Sequence, residues 1–147
     1  MVVDGGGTAL YTGFQSSYIK EGSRLICSAS MSAMGSGIPE GIGACFATNK
    51  GLTTVLIGDG SMMFNLQELQ TVRTHNLPLK IFIINNNGYL AIRKTQAQFQ
   101  DGRHYGVGGA DMGDLEFPNF EDVAHTFKIP YFRTAQAALE SKGPAIC

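Results

Sequence analysis

The sequence predicts an α/β fold in which a parallel sheet carries helices on both faces. Short apolar, β-branched segments alternate along the chain with amphipathic segments, which is the pattern of consecutive β-α-β units. The strand segments are continuous apolar runs, as expected where both faces of a sheet are covered. The chain has 19 glycines, gathered at the ends of these segments, and glycine at such points indicates tight turns and close backbone approach.

The first elements follow from local signals. Val2 and Val3 predict the end of a short strand that runs into three glycines. A helix is predicted from Thr8 to about Tyr18, and a second short strand from Arg24 to Ser28. The next helix is predicted to begin near Pro39, because the missing N–H of proline costs nothing in a first helical turn. Its apolar stripe comprises Ile38, Ile42, Cys45 and Phe46.

The middle of the chain predicts a helix, a strand and a second helix. Gly41 and Gly43 are expected to let the first helix lie close to a neighbouring element. Thr53 to Ile57 is apolar and β-branched, and predicts a buried strand. A single helix is predicted after Gly58-Asp59-Gly60-Ser61, and Pro78 lies beyond its end. Its core-facing residues are predicted to be Met62, Leu66, Leu69 and Val72.

Lys80 to Ile84 predicts another buried strand, which stops at three asparagines and a glycine. Shorter elements around a polar loop are predicted for the rest of the chain. They are a helix from about Tyr89 to Phe99, the loop from Gln100 to Phe117, a helix from Phe120 to Phe127, a strand from Tyr131 to Arg133, a helix from Ala135 to Glu140 and a last strand at Pro144-Ala145-Ile146.

Size and charge exclude several classes of partner. The 147 residues fit one domain. The formal net charge is −1 and no segment is dense in Lys or Arg, so charge gives no support for nucleic acid or a membrane surface as partner. The apolar runs fall well short of the ~20 residues that span a bilayer. The three cysteines lack metal-ligand spacing and an even count, so we expect reduced thiols in a cytoplasmic protein.

Two strand ends carry unusual polar residues. In open α/β sheets, ligands bind outside the carboxyl ends of strands. At the first such end, Ser61 opens a helix whose first N–H groups favour an anion. Asp59 places a carboxylate beside that anion, and the two repel each other unless a cation lies between them. Mg²⁺ is suited to that position, because it binds carboxylate and phosphate oxygens together.

The second strand end is the turn Asn85-Asn86-Asn87-Gly88, which offers amide oxygens directly after an apolar strand. Asn86 lies 27 residues after Asp59, an interval that holds one helix and one strand. Both turns therefore return to the same edge of the sheet. Each turn alone is common, but the pair at this spacing is much more specific. It predicts a Mg²⁺ site formed by the carboxylate of Asp59 and an amide oxygen of Asn86, with the carbonyl oxygen of Gly88 as a candidate third ligand.

The two turns together resemble the signature of thiamine-diphosphate enzymes. Over roughly Val2 to Ile146 the chain is similar to the C-terminal diphosphate-binding (PP) domain of the acetolactate synthase branch. The resemblance implies a thiamine-diphosphate-binding fold, with residues 1–147 as a single PP domain. The chain ends within a predicted element, so we expect a fragment of a larger multidomain enzyme. The resemblance also implies thiamine diphosphate and Mg²⁺ as cofactors. In the family the metal ligands are the residues that map to Asp59, Asn86 and the carbonyl oxygen of Gly88.

Further contacts with the cofactor follow from the same resemblance. Ser61 and Gly60 are expected to hydrogen-bond the diphosphate, and Met34 to support a bent cofactor conformation. Gly7 and Thr8 replace the Gln and His that relatives carry, so backbone contacts are expected there. The predicted cofactor-binding residues are Gly5, Gly6, Gly7, Thr8, Ser32, Met34, Asp59, Gly60, Ser61, Asn86, Gly88, Tyr89 and Leu90. Tyr89 and Leu90, together with Ile92, either contact the thiazolium ring of the cofactor or belong to the apolar face of the next helix.

The implied chemistry is C–C bond cleavage or formation on a 2-oxo acid such as pyruvate, with carboligation and decarboxylation both open. In the family a glutamate from a pyrimidine-binding domain completes the site. Glu40, Glu68 and Glu116 match no such motif, so no catalytic residue is assigned. The expected partners are the 2-oxo acid, a pyrimidine-binding domain in the same or another chain, and further copies in a homodimer or homotetramer.

Two other functions are considered. The missing glutamate domain motivates a cofactor-binding or regulatory module without catalysis of its own. A Rossmann-type nucleotide binder is disfavoured, because the segment from Gly35 to Glu40 begins as a Gly-x-Gly-x-x-Gly motif and then departs from it.

Overall fold

A computed structural model describes residues 1–28, 30–109 and 114–147, so the predicted loop from Gln100 to Phe117 lies partly outside the described residues. Parallel strands form a four-stranded sheet in the order β1-β2-β3-β4, which confirms the predicted α/β class. The strands are β1 (Val2–Val3), β2 (Thr53–Gly58), β3 (Leu79–Ile84) and β4 (Ala145–Ile146).

Most helices begin and end close to their predicted positions. Asn119 and Thr134 cap two of them, each accepting a hydrogen bond from a backbone N–H of the first turn. In the described segments, no helix has the length and apolar character needed to cross a membrane. The helices are α1 (Gly7–Ser16), α2 (Gly37–Ala47), α3 (Asp59–Met62), α4 (Glu68–Thr74), α5 (Leu90–Phe99), α6 (Phe120–Thr126) and α7 (Ala135–Glu140).

Helices cover both faces of the sheet, as predicted. Val55 and Leu56 are consecutive in β2, so their side chains point to opposite faces. A Cβ atom at Gly41 of α2 would lie 2.5 Å from Val55 Cγ2, and one at Gly13 of α1 would lie 3.4 Å from Leu56 Cδ2. The helix α2 therefore packs on one face of β2, and α1 packs on the other.

The two glycines of α2 differ in their surroundings. Gly41 is buried, and its hydrogen atoms are all that fits between α2 and the side chains of Val55 and Leu79. Gly43 is exposed, and no described atom lies within 4 Å of the position that a Cβ atom would take. The predicted close approach is therefore right for Gly41 and wrong for Gly43, because two residues along a helix turn a side chain by about 200° around the axis.

Lys80 in β3 is buried, yet its ammonium group has three hydrogen-bond acceptors. It donates to the carbonyl oxygen and Oγ of Ser141, both at 2.8 Å, and to the carbonyl oxygen of Gly143 at 2.7 Å. Burial lowers the pKa of Lys80 below that of an ordinary lysine, and the three acceptors offset part of the cost of burying the charge. This contact joins β3 to the turn between α7 and β4.

The predicted strands at Arg24–Ser28 and Tyr131–Arg133 are shorter than expected. Only single bridges form, between Ile26 and Val2 and between Tyr131 and Ile146. The bridges lie beside β1 and β4, at the two outer edges of the sheet. Each of these outer segments can pair only with β1 or β4. Because β1 and β4 are two residues long, the pairing cannot extend into a longer strand.

The single helix predicted after Ser61 is wrong, since α3 ends at Met62 and α4 begins at Glu68. Between them the backbone hydrogen bonds span three residues rather than four, which is a tighter turn than the α-helix. The side chain of Asn65 donates to the carbonyl oxygen of Gly35 at 2.8 Å, tying this segment to the loop before α2. The predicted core-facing residues nevertheless point inward: Met62, Leu69 and Val72 are buried and Leu66 is half-buried.

Candidate functional site

A cleft lies at the carboxyl ends of β1, β2 and β3, which is the edge of the sheet at which open α/β folds bind ligands. The cleft brings together most of the predicted cofactor-binding residues, although they come from four separate parts of the chain. The lining residues are Gly6, Gly7, Thr8, Met34, Gly58, Asp59, Gly60, Ser61, Asn86, Gly88, Tyr89, Ala91 and Ile92.

Three predicted residues lie outside this lining. Gly5 is buried against the backbone of Ser32, where a Cβ atom would collide, and neither residue is part of the lining. Leu90 is the half-buried first residue of α5. The lining also includes Ile92, which the sequence offered as a candidate wall residue, together with Gly58 and Ala91, whose signal in the sequence is only that they adjoin the two motifs.

The carboxylate of Asp59 connects the ends of two neighbouring strands. It is 3% exposed. Its Oδ1 accepts the backbone N–H of Gly60 at 2.7 Å. Its Oδ2 accepts those of Asn86 at 3.1 Å and Gly88 at 3.0 Å. A carboxylate has about four acceptor positions, so three hydrogen bonds leave room for one further partner.

Two buried oxygen atoms of the cleft residues have no hydrogen-bond partner among the described residues. They are Ser61 Oγ and Asn86 Oδ1. The amide nitrogen of Asn86 donates to Thr8 Oγ1 at 3.1 Å, which fixes how the amide is turned. Leaving a buried polar atom unpaired costs about 1–3 kcal/mol. A polar ligand in this cleft would remove that cost.

Helix N-termini converge on the same cleft. The helices α1, α3 and α5 begin at Gly7, Asp59 and Leu90, each in or next to the lining. The first N–H groups of a helix have no partner within it and carry partial positive charge. The turn before α1 is held by Asp4, which is fully buried and accepts the N–H groups of Gly6 at 2.8 Å and Gly37 at 2.9 Å. The arrangement favours an anion in the cleft.

A metal ion here would depend mainly on neutral oxygens. In the described parts of the chain, no group of three or more His, Cys, Asp and Glu side chains could hold a metal ion. The cleft instead offers one carboxylate, an amide oxygen and backbone carbonyls. Mg²⁺ is commonly bound by one or two carboxylates together with phosphate oxygens and water, so the donor set fits Mg²⁺ beside a phosphorylated ligand.

Tyr89 forms part of the cleft and lies outside α5. A Cβ atom at Gly60 would collide with the Tyr89 ring, which therefore lies directly over that glycine. The ring also packs edge-to-face on Phe117, with 5.9 Å between centroids and 84° between planes. For Tyr89, this placement favours contact with a ligand over a place on the apolar face of the next helix.

Sequence reasoning missed the segment that covers the asparagine turn. The N–H of Tyr89 donates to the carbonyl oxygen of Val107 at 2.8 Å, and Gly88 forms an antiparallel bridge with Gly108. Gly88 has φ +139°, and a Cβ atom there would collide with the same Val107 oxygen. The glycines at both positions were the available signal, since each permits a backbone conformation and an approach that other residues do not.

Comparison with known proteins identifies the family. The family described as "Thiamine pyrophosphate enzyme, C-terminal TPP binding domain" matches residues 5–146. The chain belongs to this family. The family assignment agrees with the cleft geometry, in which helix N-termini and unpaired oxygens meet at the strand ends.

Curated relatives confirm the predicted likeness to the acetolactate synthase branch of the family. The chain is 34% identical over 131 residues to acetolactate synthase 2, chloroplastic, of Zea mays, covering 81% of this chain and 20% of the relative. It is 36% identical over 123 residues to the acetolactate synthase large subunit of Cyanidium caldarium, covering 83% and 20%. The chain thus spans about a fifth of the length of the relatives it matches.

A solved structure confirms the fold. The thiamine diphosphate-dependent 4-hydroxybenzoylformate decarboxylase of Rhodococcus jostii RHA1 matches with a TM-score of 0.78 and 22% sequence identity. The match covers 99% of this chain and 28% of that one. The predicted thiamine-diphosphate-binding fold therefore extends over nearly the whole chain.

The glutamates considered from the sequence lie away from the cleft lining. Glu68 is half-buried and accepts a hydrogen bond from Thr71 Oγ1 at 3.0 Å. Glu40 is half-buried in α2, and Glu116 is exposed. Asp59 is the acidic residue of the lining, so the cleft has no glutamate from the described chain.

Proposed function

We propose that this chain binds thiamine diphosphate together with Mg²⁺ in the cleft, as part of an acetolactate synthase-like enzyme acting on 2-oxo acids. The supporting observation is that Ser61 Oγ and Asn86 Oδ1 are buried and unpaired among the described residues. Both residues line the cleft beside the Asp59 carboxylate. Their oxygens offer a donor and an acceptor where a diphosphate and its metal ion need them.

The residues divide into two groups in this proposal. Asp59, Asn86 Oδ1 and the carbonyl oxygen of Gly88 hold Mg²⁺. Ser61, Gly60 and the start of α1 bind the diphosphate, because their N–H and hydroxyl groups donate to phosphate oxygens. Met34 lines the cleft and is proposed to support the bent cofactor. The bound cofactor would supply the group that stabilises a substrate carbanion.

The reaction is proposed from the relatives. Acetolactate synthases and a 4-hydroxybenzoylformate decarboxylase are the proteins to which the chain is similar. A 2-oxo acid such as pyruvate is the proposed substrate, and carboligation and decarboxylation both fit the cleft residues. Because the chain spans about a fifth of those acetolactate synthases, residues 1–147 are proposed as one PP domain that works with further domains. A cytoplasmic location stays a prediction from the cysteines.

An exposed apolar surface supports a further domain or copy. The helix α5 is ten residues long and buries none of them within the described chain. On the neighbouring α1, Tyr11 and Phe14 are 63% and 50% exposed. Leu10, Tyr11 and Phe14 line one shallow groove on α1, and exposed apolar side chains that lie together are typical of a protein interface. It favours a pyrimidine-binding domain, in the same or another chain, and a homodimer or homotetramer of the whole enzyme.

Calorimetric titration of thiamine diphosphate into the chain, with and without Mg²⁺, tests the proposal. We expect binding that requires Mg²⁺ and is lost in Asp59→Ala. Because Asp59 also holds three backbone N–H groups, Asp59→Asn is the matched variant: it keeps an acceptor oxygen and removes the charge. Glu68→Gln, a change outside the cleft, serves as the control.

Three outcomes separate the possibilities. Equal binding without Mg²⁺, or unchanged binding in folded Asp59→Asn, would refute the metal role of Asp59. Binding without turnover of pyruvate after a pyrimidine-binding domain has been supplied would favour the alternative of a cofactor-binding or regulatory module. Acetolactate or acetaldehyde as the product would distinguish carboligation from decarboxylation.

A further inference from the structure

Arg93 connects α5 to the asparagine loop, defined here as residues 85–88. Arg93 lies in the first turn of α5 and is half-buried. Its Nη1 donates to the carbonyl oxygen of Asn87 at 3.0 Å, and its Nη2 donates to that of Asn86 at 3.2 Å. The guanidinium group therefore spans two consecutive carbonyls. Arg93 is not one of the residues that line the cleft, and both of these hydrogen bonds reach the backbone of the loop.

The N–H groups of the same loop have acceptors of their own. The Asp59 carboxylate accepts those of Asn86 and Gly88. The side-chain oxygen of Asn85 accepts that of Asn87 at 3.1 Å. With the two hydrogen bonds from Arg93, the backbone N–H and C=O groups of both Asn86 and Asn87 are all paired. The loop is thus held between a carboxylate and a guanidinium group.

The loop has positive φ at two consecutive residues, with φ +57° at Asn87 and φ +139° at Gly88. Asparagine and glycine adopt such values more readily than other residues but also adopt others, so the hydrogen bonds to the loop select this conformation among several. A planar guanidinium group offers two N–H donors in a fixed fork, whereas the ammonium of lysine is a single flexible point charge. The carbonyl oxygens of Asn86 and Asn87 are spaced so that each accepts one of the two N–H donors.

We propose that Arg93 is a positioning residue that holds the asparagine loop in the conformation that presents Asn86 Oδ1 and the Gly88 carbonyl to the metal ion. The inference deepens the proposed function and rests on it. Residues that orient metal ligands without touching the metal typically contribute 10–100-fold to metal affinity. Arg93 therefore sets the Mg²⁺ concentration at which the cofactor binds.

The test compares Arg93→Gln and Arg93→Lys with the neighbouring control Lys94→Gln. Lys94 is exposed on α5, and within the described residues it donates no hydrogen bond to the loop. Thiamine diphosphate is titrated by calorimetry into each variant over a series of MgCl₂ concentrations. We expect the Mg²⁺ concentration for half-maximal binding to rise about 10–100-fold in Arg93→Gln, less in Arg93→Lys, and not at all in Lys94→Gln.

Two further readouts exclude a general loss of folding. At saturating Mg²⁺, the cofactor affinities of all variants should converge, which partial unfolding would not produce. In the protein without cofactor, the amide hydrogens of Asn86 and Gly88 should exchange about tenfold faster in Arg93→Gln, which corresponds to the net loss of about one hydrogen bond. The control Lys94→Gln should exchange at the rate of the unmodified chain.

The outcomes distinguish this inference from the proposed function. Absence of Mg²⁺-dependent binding to the unmodified chain, after a pyrimidine-binding domain has been supplied, refutes the proposed function, and amide exchange then decides the role of Arg93. Mg²⁺-dependent binding with the same Mg²⁺ midpoint in Arg93→Gln overturns the inference alone. Unchanged amide exchange in Arg93→Gln, or an equal effect of Lys94→Gln, also overturns it, since bulk charge rather than the two hydrogen bonds would then be responsible.

Discussion

The glycines of α2 allow a test of the packing between helix and sheet. Both Gly41 and Gly43 lie inside this eleven-residue helix, so replacing either with alanine should gain about 0.5–1 kcal/mol of helix propensity. At Gly41 the new methyl group would lie 2.5 Å from Val55 Cγ2 and 3.0 Å from Leu79 Cδ1. Both neighbours are fully buried in the core, so neither can move away freely.

The magnitude follows from comparing the two variants. Because the gain in propensity is common to both, their difference in unfolding free energy isolates the cost of overpacking, which is about 1–3 kcal/mol. We expect Gly43→Ala to be more stable than the unmodified chain and Gly41→Ala to be the less stable variant by that amount. For a domain of this size the difference corresponds to roughly 2–12 °C in Tm.

Urea and thermal unfolding, followed by circular dichroism, measure both variants against the unmodified chain. The reasoning is refuted if Gly41→Ala is as stable as Gly43→Ala, because α2 would then not lie against Val55 as the structure has it. A destabilised Gly43→Ala would contradict the exposed position of Gly43.

Two further predictions concern a cleft hydroxyl and a buried thiol. Ser61→Ala removes a buried hydroxyl that has no partner in the described chain. The unfolding free energy of this variant should therefore stay the same or rise by up to about 1 kcal/mol, while its thiamine diphosphate affinity falls at least about tenfold. Urea unfolding and calorimetry measure the two quantities, and a loss of stability that parallels the loss of affinity would contradict this prediction. Burial raises the pKa of the Cys45 thiol, against a smaller opposite effect of its hydrogen bond with Thr53. The protonated thiol therefore contributes stability that is complete below the ordinary thiol pKa of 9.0 and is lost as pH rises above it. We expect Cys45→Ala to lose less stability than the unmodified chain when urea unfolding is compared at about pH 8 and pH 10, and parallel losses would count against it.

Local sequence signals were sufficient where an element depends on its own residues. The β-branched run at Thr53–Ile57 and the apolar run at Lys80–Ile84 form β2 and β3, because such segments are stable only when covered on both faces. Parallel pairing of those strands then places Asp59 and Asn86 at one sheet edge, where they form a hydrogen bond. Their meeting could be predicted because the topology rules leave few alternatives.

Predictions failed where distant segments decide the local structure. The predicted helix after Ser61 is broken in a segment where Asn65 bonds to Gly35, 30 residues away. The outer strands shrink to single bridges because β1 and β4 are short. Neither the break in the helix nor the shortening of the outer strands has a periodic signal in the sequence, so propensity within a window of residues could not reveal them.

The sequence by itself determined the fold class, the order of the main strands and helices, and the two polar strand ends, because apolar periodicity and strand-end turns are properties of neighbouring residues. Only the tertiary structure decided that Gly41 rather than Gly43 faces the sheet, that Val107 and Gly108 cover the asparagine loop, and that Arg93 binds its carbonyls. These features depend on which surfaces meet after the chain has folded, and close packing admits one arrangement of side chains among many that the same local pattern permits.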